Sequence, residues 1–254
     1  MIGIFDSGVG GLSVFREIYR ILPEEKYIYY SDNANCPYGE KTKESIIGRA
    51  REITHLLLSE GADIIVVACN TATAAAIRTL RNEFPVSFIG MEPAVKPAAQ
   101  QTQTGVVGVL ATAGTLRAEK YIDTREKWAQ NVKIVEHIGQ GFVELVEKGV
   151  TSGPEAEAVV KASLKPLLDE GADMIVLGCT HYPFLSETIE LIARQEAPER
   201  NVQVIDPAPS VARHLAEVME ENGLIRKDGF SIKLHSSGDP STLTETYNRI
   251  ACVR

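Results

Sequence analysis

Short apolar, β-branched runs alternate along the chain with stretches whose apolar residues recur at helical spacing. The runs at 2–5 (IGIF), 27–30 (YIYY), 64–68 (IIVVA), 86–89 (VSFI), 106–110 (VVGVL), 132–135 (VKIV), 174–177 (MIVL) and 202–205 (VQVI) are apolar runs rather than in/out alternations. That pattern predicts parallel strands buried on both faces. Between them, 45–58 places Ile46, Ile47, Ala50, Ile53 and Leu57 on one helical face, with Gly61 set to close the helix. The stretch 155–168 has the same form ahead of Gly171, and further helices are expected over 10–21 and 209–222. Strand–helix alternation of this kind builds crossover βαβ units and doubly wound sheets.

The pattern repeats. Residues 60–69 read EGADIIVVAC and residues 170–179 read EGADMIVLGC, with seven of ten positions identical. The similarity extends outward: IGIFDSGVGGL at 2–12 aligns loosely with VGVLATAGTL at 107–116, and MEPA at 91–94 with IDPA at 205–208. The expectation is an α/β chain of two similar doubly wound, mostly parallel-sheet domains related by pseudo-symmetry, with the active site in the cleft between them. The first is expected at 1–95 plus 208–254 and the second at 96–207. The ending SIKLHSSGDP reads as strand then loop, and its return to the first domain would make that domain discontinuous.

Composition narrows the function classes. A chain of 254 residues with 44% hydrophobic content has enough apolar material for two ordinary cores. Charged residues make up 24% and the net charge is −8, with no basic run, which argues against a dedicated nucleic-acid or anionic-membrane binder. The longest apolar stretch, Ile64 to Cys69, is far too short to span a bilayer. The opening MIGIF enters a strand without the basic and apolar regions of a signal peptide, so a cytoplasmic location is expected. Four cysteines, Cys36, Cys69, Cys179 and Cys252, form neither a disulfide framework nor a C-x-x-C metal or redox motif. A lone cysteine is usually a small buried hydrophobe. Two at equivalent ends of a repeat ask for a chemical reason.

In open α/β sheets, ligands bind beyond the carboxyl ends of the strands, and four turns of this chain are expected there. The first, Asp6-Ser7-Gly8-Val9-Gly10-Gly11, allows close backbone approach and leads into a helix N-terminus. It is no dinucleotide fingerprint, since Ser13 stands where the third glycine belongs, and the chain has no Walker A sequence. Asp6 can accept a proton from a nearby thiol or orient it; the competing reading makes it the N-cap of helix 10–21. The second, Asp32-Asn33-Ala34-Asn35-Cys36-Pro37-Tyr38-Gly39, is by itself polar loop chemistry. The third and fourth are Cys69-Asn70-Thr71 and Cys179-Thr180-His181-Tyr182-Pro183. Asn, Thr and backbone N–H groups suit a carboxylate ligand, and His181 can hold its neighbouring thiol in reactive form.

Paired thiols suit proton transfer at carbon. Taking the α-proton from an amino acid leaves a carbanion beside a carboxylate, so the barrier is high and a well-placed, tuned base is required. Cysteine, with an unperturbed pKa of about 8.5, is a thiolate where a polar or cationic environment helps. If a thiolate takes the proton from one face and a thiol returns one to the other, the product is the mirror image.

Together DSGVGGL at 6–12, DNANCPYGEK at 32–41, ACNTAT at 68–73 and GCTHYP at 178–183 resemble the cofactor-independent glutamate racemases of the aspartate/glutamate racemase superfamily. The resemblance runs over nearly the whole chain, in order. It implies interconversion of L- and D-glutamate with no cofactor and no metal, supplying D-glutamate for peptidoglycan. By the same resemblance Cys69 takes the proton from D-glutamate and Cys179 from L-glutamate. Asp6 assists the first and His181 the second. Glu147, in FVELVE at 142–147, matches a further acid, with Glu144 as rival; here Gln140-Gly141 stands where the family often has Cys-Pro. Ser7, Tyr38, Gly39, Asn70, Thr71, Thr180 and His181, with Asp6, match substrate-binding positions, and Thr112 and Thr115 in the pseudo-repeat of the first turn are candidates to join them.

The nearest alternative keeps the chemistry and changes the substrate to aspartate or a hydantoin. A two-lobed binding module leaves the paired cysteines unexplained. A thiol redox protein needs the cysteines within about 7 Å at Cα, whereas a racemase needs them on either side of its substrate. A homodimer is compatible with the pattern, but no long apolar surface stripe picks a pairing face, and nothing in the chain points to an effector.

Overall fold

The computed structural model describes residues 1–251; Cys252 lies outside them. The chain forms two compact units, one of residues 1–91 with the segment that begins at Ala208, the other Glu92–Pro207. The change of unit falls at 91/92 rather than at the expected 95/96.

The first unit runs β1 (Ile2–Asp6), α1 (Leu12–Ile21), β2 (Lys26–Ser31), α2 (Lys43–Ser59), β3 (Ile64–Val67), α3 (Asn70–Glu83) and β4 (Ser87–Gly90). The second contributes α4 (Val95–Gln101), β5 (Val106–Ala111), α5 (Ala113–Leu116), α6 (Glu119–Trp128), β6 (Lys133–Ile138), α7 (Phe142–Glu147), α8 (Pro154–Asp169), β7 (Met174–Gly178), α9 (Ser186–Glu196) and β8 (Gln203–Ile205). The chain then returns to the first unit with α10 (Ala208–Glu221), β9 (Ser231–Ser236) and α11 (Ser241–Ala251).

Both sheets are parallel in every pairing, with orders β4-β3-β1-β2-β9 and β6-β5-β7-β8. Read from its other edge, the second is β8-β7-β5-β6, the same course as β4-β3-β1-β2 with β9 removed. The sequence repeat is therefore a repeat of topology. Central strands β1, β3 and β7 are buried at every residue, as a sheet covered on both faces requires. Edge strand β6 is only partly covered, and its apolar content is correspondingly diluted by Lys133, Glu136 and His137.

The EGAD half of the repeat is structural. Gly61 and Gly171 both sit at φ +95°, a left-handed position closing α2 and α8 that side chains disfavour. Asp63 then takes the Met1 ammonium at 2.6 Å, at the start of β1. Asp173 holds the equivalent start of β5, accepting from the N–H groups of Gln103 (2.7 Å) and Thr104 (3.0 Å) and from the Thr102 hydroxyl (2.5 Å). Each aspartate pins the strand beside its own.

Candidate active site

In a sheet ordered β4-β3-β1-β2, successive connections leave β1 to opposite sides, so the switch point lies between the ends of β1 and β3. There Phe5 pairs with Val67, which brings the Asp6-Ser7 turn alongside Cys69. In the second unit the switch point lies between β5 and β7, where Ala111 pairs with Gly178; Thr112 and Cys179 follow directly. Each thiol thus stands where a doubly wound sheet splays its loops apart.

Cys69 is buried (5% exposed) and forms the N-cap of α3, its Sγ accepting from the Ala72 N–H at 3.4 Å. The positive end of a helix favours a thiolate over a thiol. The Ser7 hydroxyl lies 3.7 Å from the same sulfur. Asp6 is fully buried, and its carboxylate accepts from the Gly8 N–H at 2.9 Å. It does not cap the next helix: α1 begins at Leu12 with Gly11 as N-cap and no side-chain capping bond. Gly11 is needed for close approach, since a Cβ there would stand 2.7 Å from Asp6 Cβ and 2.8 Å from the Tyr29 hydroxyl. Beyond Cys69, Thr71 is buried in the first turn of α3. Neither the oxygen nor the nitrogen of the buried Asn70 carboxamide has a hydrogen-bond partner among the described residues. Such a group costs about 1–3 kcal/mol, which a ligand pairing both atoms would recover.

Cys179 is supported differently. No regular helix starts at it; the chain passes through Thr180 and His181 into a short 3-10 turn, Tyr182–Leu185, before α9. His181 is 1% exposed, with Nδ1 3.8 Å from the Cys179 sulfur and Nε2 2.7 Å from Glu147 Oε1. Thiol, imidazole and carboxylate therefore form a chain in which Glu147, at the end of α7, fixes the ring. Glu144, the rival, is exposed one turn back on the same helix. Phe142 and Tyr182 meet edge to face at 4.8 Å between centroids, locking α7 to the Cys179 turn. Burial, then the charges of Cys179 and Glu144, push the Tyr182 phenol well above its usual range, so it stays neutral. Thr112 caps α5 by accepting from the Thr115 N–H at 3.2 Å, and the two hydroxyls lie 3.1 Å apart.

Of the second turn, Tyr38 packs in one apolar cluster with Cys69, Ala72, Ile46 and Ala50. Gly39 follows it in the 3-10 turn Tyr38–Glu40. The Tyr38 phenol donates to Asp32 at 2.5 Å, and Arg49 of α2 grips the same carboxylate. Asp32 stands in the second of the turns picked out from the sequence, but its partner Arg49 was not legible: it lies 17 residues on, and an Arg on a helix is commonplace.

The comparisons with known proteins agree with one another. The family model described as Asp/Glu/Hydantoin racemase matches residues 2–215. A glutamate racemase of Roseiflexus sp. (strain RS-1) is 42% identical over 98% of this chain and 91% of its own length. The crystal structure of Escherichia coli glutamate racemase in complex with L-glutamate superposes with TM-score 0.86 at 33% identity, covering 98% of this chain and 94% of that one. Glutamate racemase from Francisella tularensis in complex with D-glutamate gives TM-score 0.82 at 28% identity, with 98% and 92% covered. With switch-point cysteines on two repeated parallel-sheet units, and with this extent of similarity, the chain belongs to the Asp/Glu/Hydantoin racemase family.

Proposed function

We propose that the protein is a glutamate racemase, an isomerase that interconverts L- and D-glutamate by two-base proton transfer with no cofactor. The observation that carries this reading is the pair of thiols at equivalent switch points, each with its own acid–base support: a helix N-terminus and hydroxyl at Cys69, an imidazole–carboxylate pair at Cys179. The relatives named glutamate racemase, and the solved ones bound to either enantiomer, support glutamate as the substrate.

In this mechanism the Cys69 thiolate takes the α-proton of D-glutamate and becomes a thiol. The electron pair left on Cα delocalises into the carboxylate. The Cys179 thiol then delivers a proton to the opposite face, giving L-glutamate and a Cys179 thiolate. L-glutamate runs the same steps in reverse. Asp6 and Ser7 serve the Cys69 half; His181, held by Glu147, serves the Cys179 half. Asn70, Thr71, Thr180, Thr112 and Thr115 supply neutral donors to the substrate's carboxylates. Tyr38 and Gly39 wall the Cys69 side. The product serves peptidoglycan synthesis in the cytoplasm; among the described residues no helix is long and apolar enough to cross a membrane.

Proton NMR of each glutamate enantiomer in D₂O with purified protein and no added cofactor, alongside polarimetry, tests the proposal. Loss of the α-proton signal with decaying rotation from both enantiomers is expected. Exchange with aspartate but not glutamate would keep the mechanism and change the substrate. No exchange with any amino acid would overturn the reading.

A further inference from the structure

The second turn holds a buried ionic lock that the racemase chemistry as described does not use. Asp32 follows β2, is fully buried, and is tied to the first turn by its own N–H, which donates to the Asp6 carbonyl at 2.9 Å. Its carboxylate is gripped from outside by Arg49 in a fork, Nε to Oδ2 at 3.0 Å and Nη2 to Oδ1 at 2.8 Å. The Tyr38 hydroxyl takes Oδ2 at 2.5 Å and the Asn35 amide takes Oδ1 at 3.1 Å. Both oxygens are thus used twice. Burial alone would raise this carboxyl, but the bonds from Arg49, Tyr38 and Asn35 outweigh it and keep it ionised. The consequence for Tyr38 is specific. Burial and the Asp32 bond push its phenol far above the usual range, so the hydroxyl is a committed donor to Asp32, not an acid or base for a substrate. What Tyr38 offers the site is its ring, 1% exposed and packed in the cluster that contains Cys69.

We infer that Asp32 and Arg49 are positioning residues: through the Tyr38 hydroxyl they hold the Tyr38 ring as a fixed wall beside Cys69, and so set the geometry and access of that thiol. The inference rests on the glutamate racemase reading for its link to turnover, but not for its link to Cys69. A fork suits this task better than a lysine, because two parallel bonds fix the carboxylate plane and with it the direction of the tyrosine bond. The rest of the turn is anchored independently. Asn33 accepts from the Ser236 hydroxyl and the Gly238 N–H, both at 2.8 Å, and donates to the Asp239 carbonyl at 2.8 Å. Loosening Arg49 therefore frees the Tyr38 end of the turn without detaching the Asn33 end.

The test is iodoacetamide labelling of the full chain, read by peptide mass mapping so that Cys69 and Cys179 are followed on the same molecules, together with glutamate turnover. Arg49→Leu is expected to label Cys69 about tenfold faster, as local opening exposes it, with Cys179 unchanged. Turnover should fall about tenfold to a hundredfold, in line with a misplaced catalytic group, and Arg49→Lys should recover part of it. Tyr38→Phe, which leaves the Asp32–Arg49 fork in place, should move Cys69 labelling in the same direction but less; it and Arg49→Lys carry the test if Arg49→Leu does not fold. Unchanged Cys69 labelling in folded variants, or equal acceleration at both cysteines, would overturn the inference. Selective Cys69 labelling in a protein whose wild type racemises no glutamate would support the lock and sink the racemase reading instead.

Discussion

Two strands with nearly the same sequence deliver two cysteines into different surroundings. Over EGADIIVVAC and EGADMIVLGC the roles coincide: glycine closes a helix, aspartate pins the neighbouring strand, the apolar run is a central parallel strand and the cysteine ends it. Past the cysteine they diverge. Cys69 opens a 14-residue helix that gives its sulfur an N–H partner. Cys179 opens only a short 3-10 turn and instead borrows an imidazole two residues on and a carboxylate from α7. The difference teaches that a duplicated scaffold fixes where a thiol stands, while the residues after it decide which groups meet its sulfur. One support is the backbone's own dipole; the other is a titratable pair.

Removing either sulfur is the most severe way to break this comparison. Cys69→Ala and Cys179→Ala should each lower racemisation by about 10²–10⁴-fold or more, with the fold intact by circular dichroism, since a positioned acid–base group contributes on that scale. Full activity in either variant would end the two-base account.

Supports come next. Glu147→Gln leaves His181 a weaker partner and should slow turnover about tenfold to a hundredfold, while Glu144→Gln, changed on the exposed face of the same helix, should leave it within about twofold. Equal losses in the two variants would remove the distinction between them. Asp6→Asn should reduce the turnover rate far more than stability, because the amide oxygen can still accept from the Gly8 N–H. A variant that merely unfolds, with normal turnover per folded molecule, would give Asp6 a purely structural role.

A fourth prediction concerns pH. Folding lowers the pKa of Asp32 below the usual carboxylate range. A carboxyl depressed on folding contributes stability above its unfolded pKa of about 3.9, and that contribution is lost as pH falls through the folded value. Asp32→Asn should therefore cost about 2 kcal/mol in urea unfolding at pH 7, and the gap to the wild type should narrow below about pH 4. A gap independent of pH would mean the lock does not act through charge.

The smallest effect separates the two strands themselves. Their ends differ at Ala68 and Gly178. A Cβ at Gly178 would lie 2.7 Å from Ala111 Cβ and 3.1 Å from the Leu110 carbonyl oxygen, so Gly178→Ala should destabilise by about 1–3 kcal/mol. Ala68→Gly should cost about 1 kcal/mol, through one buried methyl and added chain freedom. Thermal melts of the two variants would show whether the ends can be exchanged.

Much of this molecule is written in its periodicity. Eight apolar runs became strands β1 to β8; the central ones, covered on both faces, leave no room for a polar side chain in their middle, whereas the edge strand β6 keeps Lys133, Glu136 and His137. The repeat, the placement of both cysteines at strand ends and the family follow from local pattern and from four short motifs. His181 was legible because it sits two residues from its cysteine. Partners that meet through folding were not. That Glu147 rather than Glu144 reaches His181 depends on how α7 docks through Phe142 onto Tyr182. That Asp6 turns to Gly8 instead of capping a helix depends on where α1 begins. The Asp32–Arg49–Tyr38 lock takes Asp32 and Tyr38 from a turn the sequence singled out, but Arg49 comes from a helix face with no distinguishing pattern, so the pairing itself was not legible. Backbone periodicity is a local property, set by burial and by φ and ψ, so sequence alone determines the elements and the ends at which chemistry stands. Hydrogen bonds between side chains far apart in the chain depend on packing to within a few tenths of an ångström, and only the tertiary structure decides those.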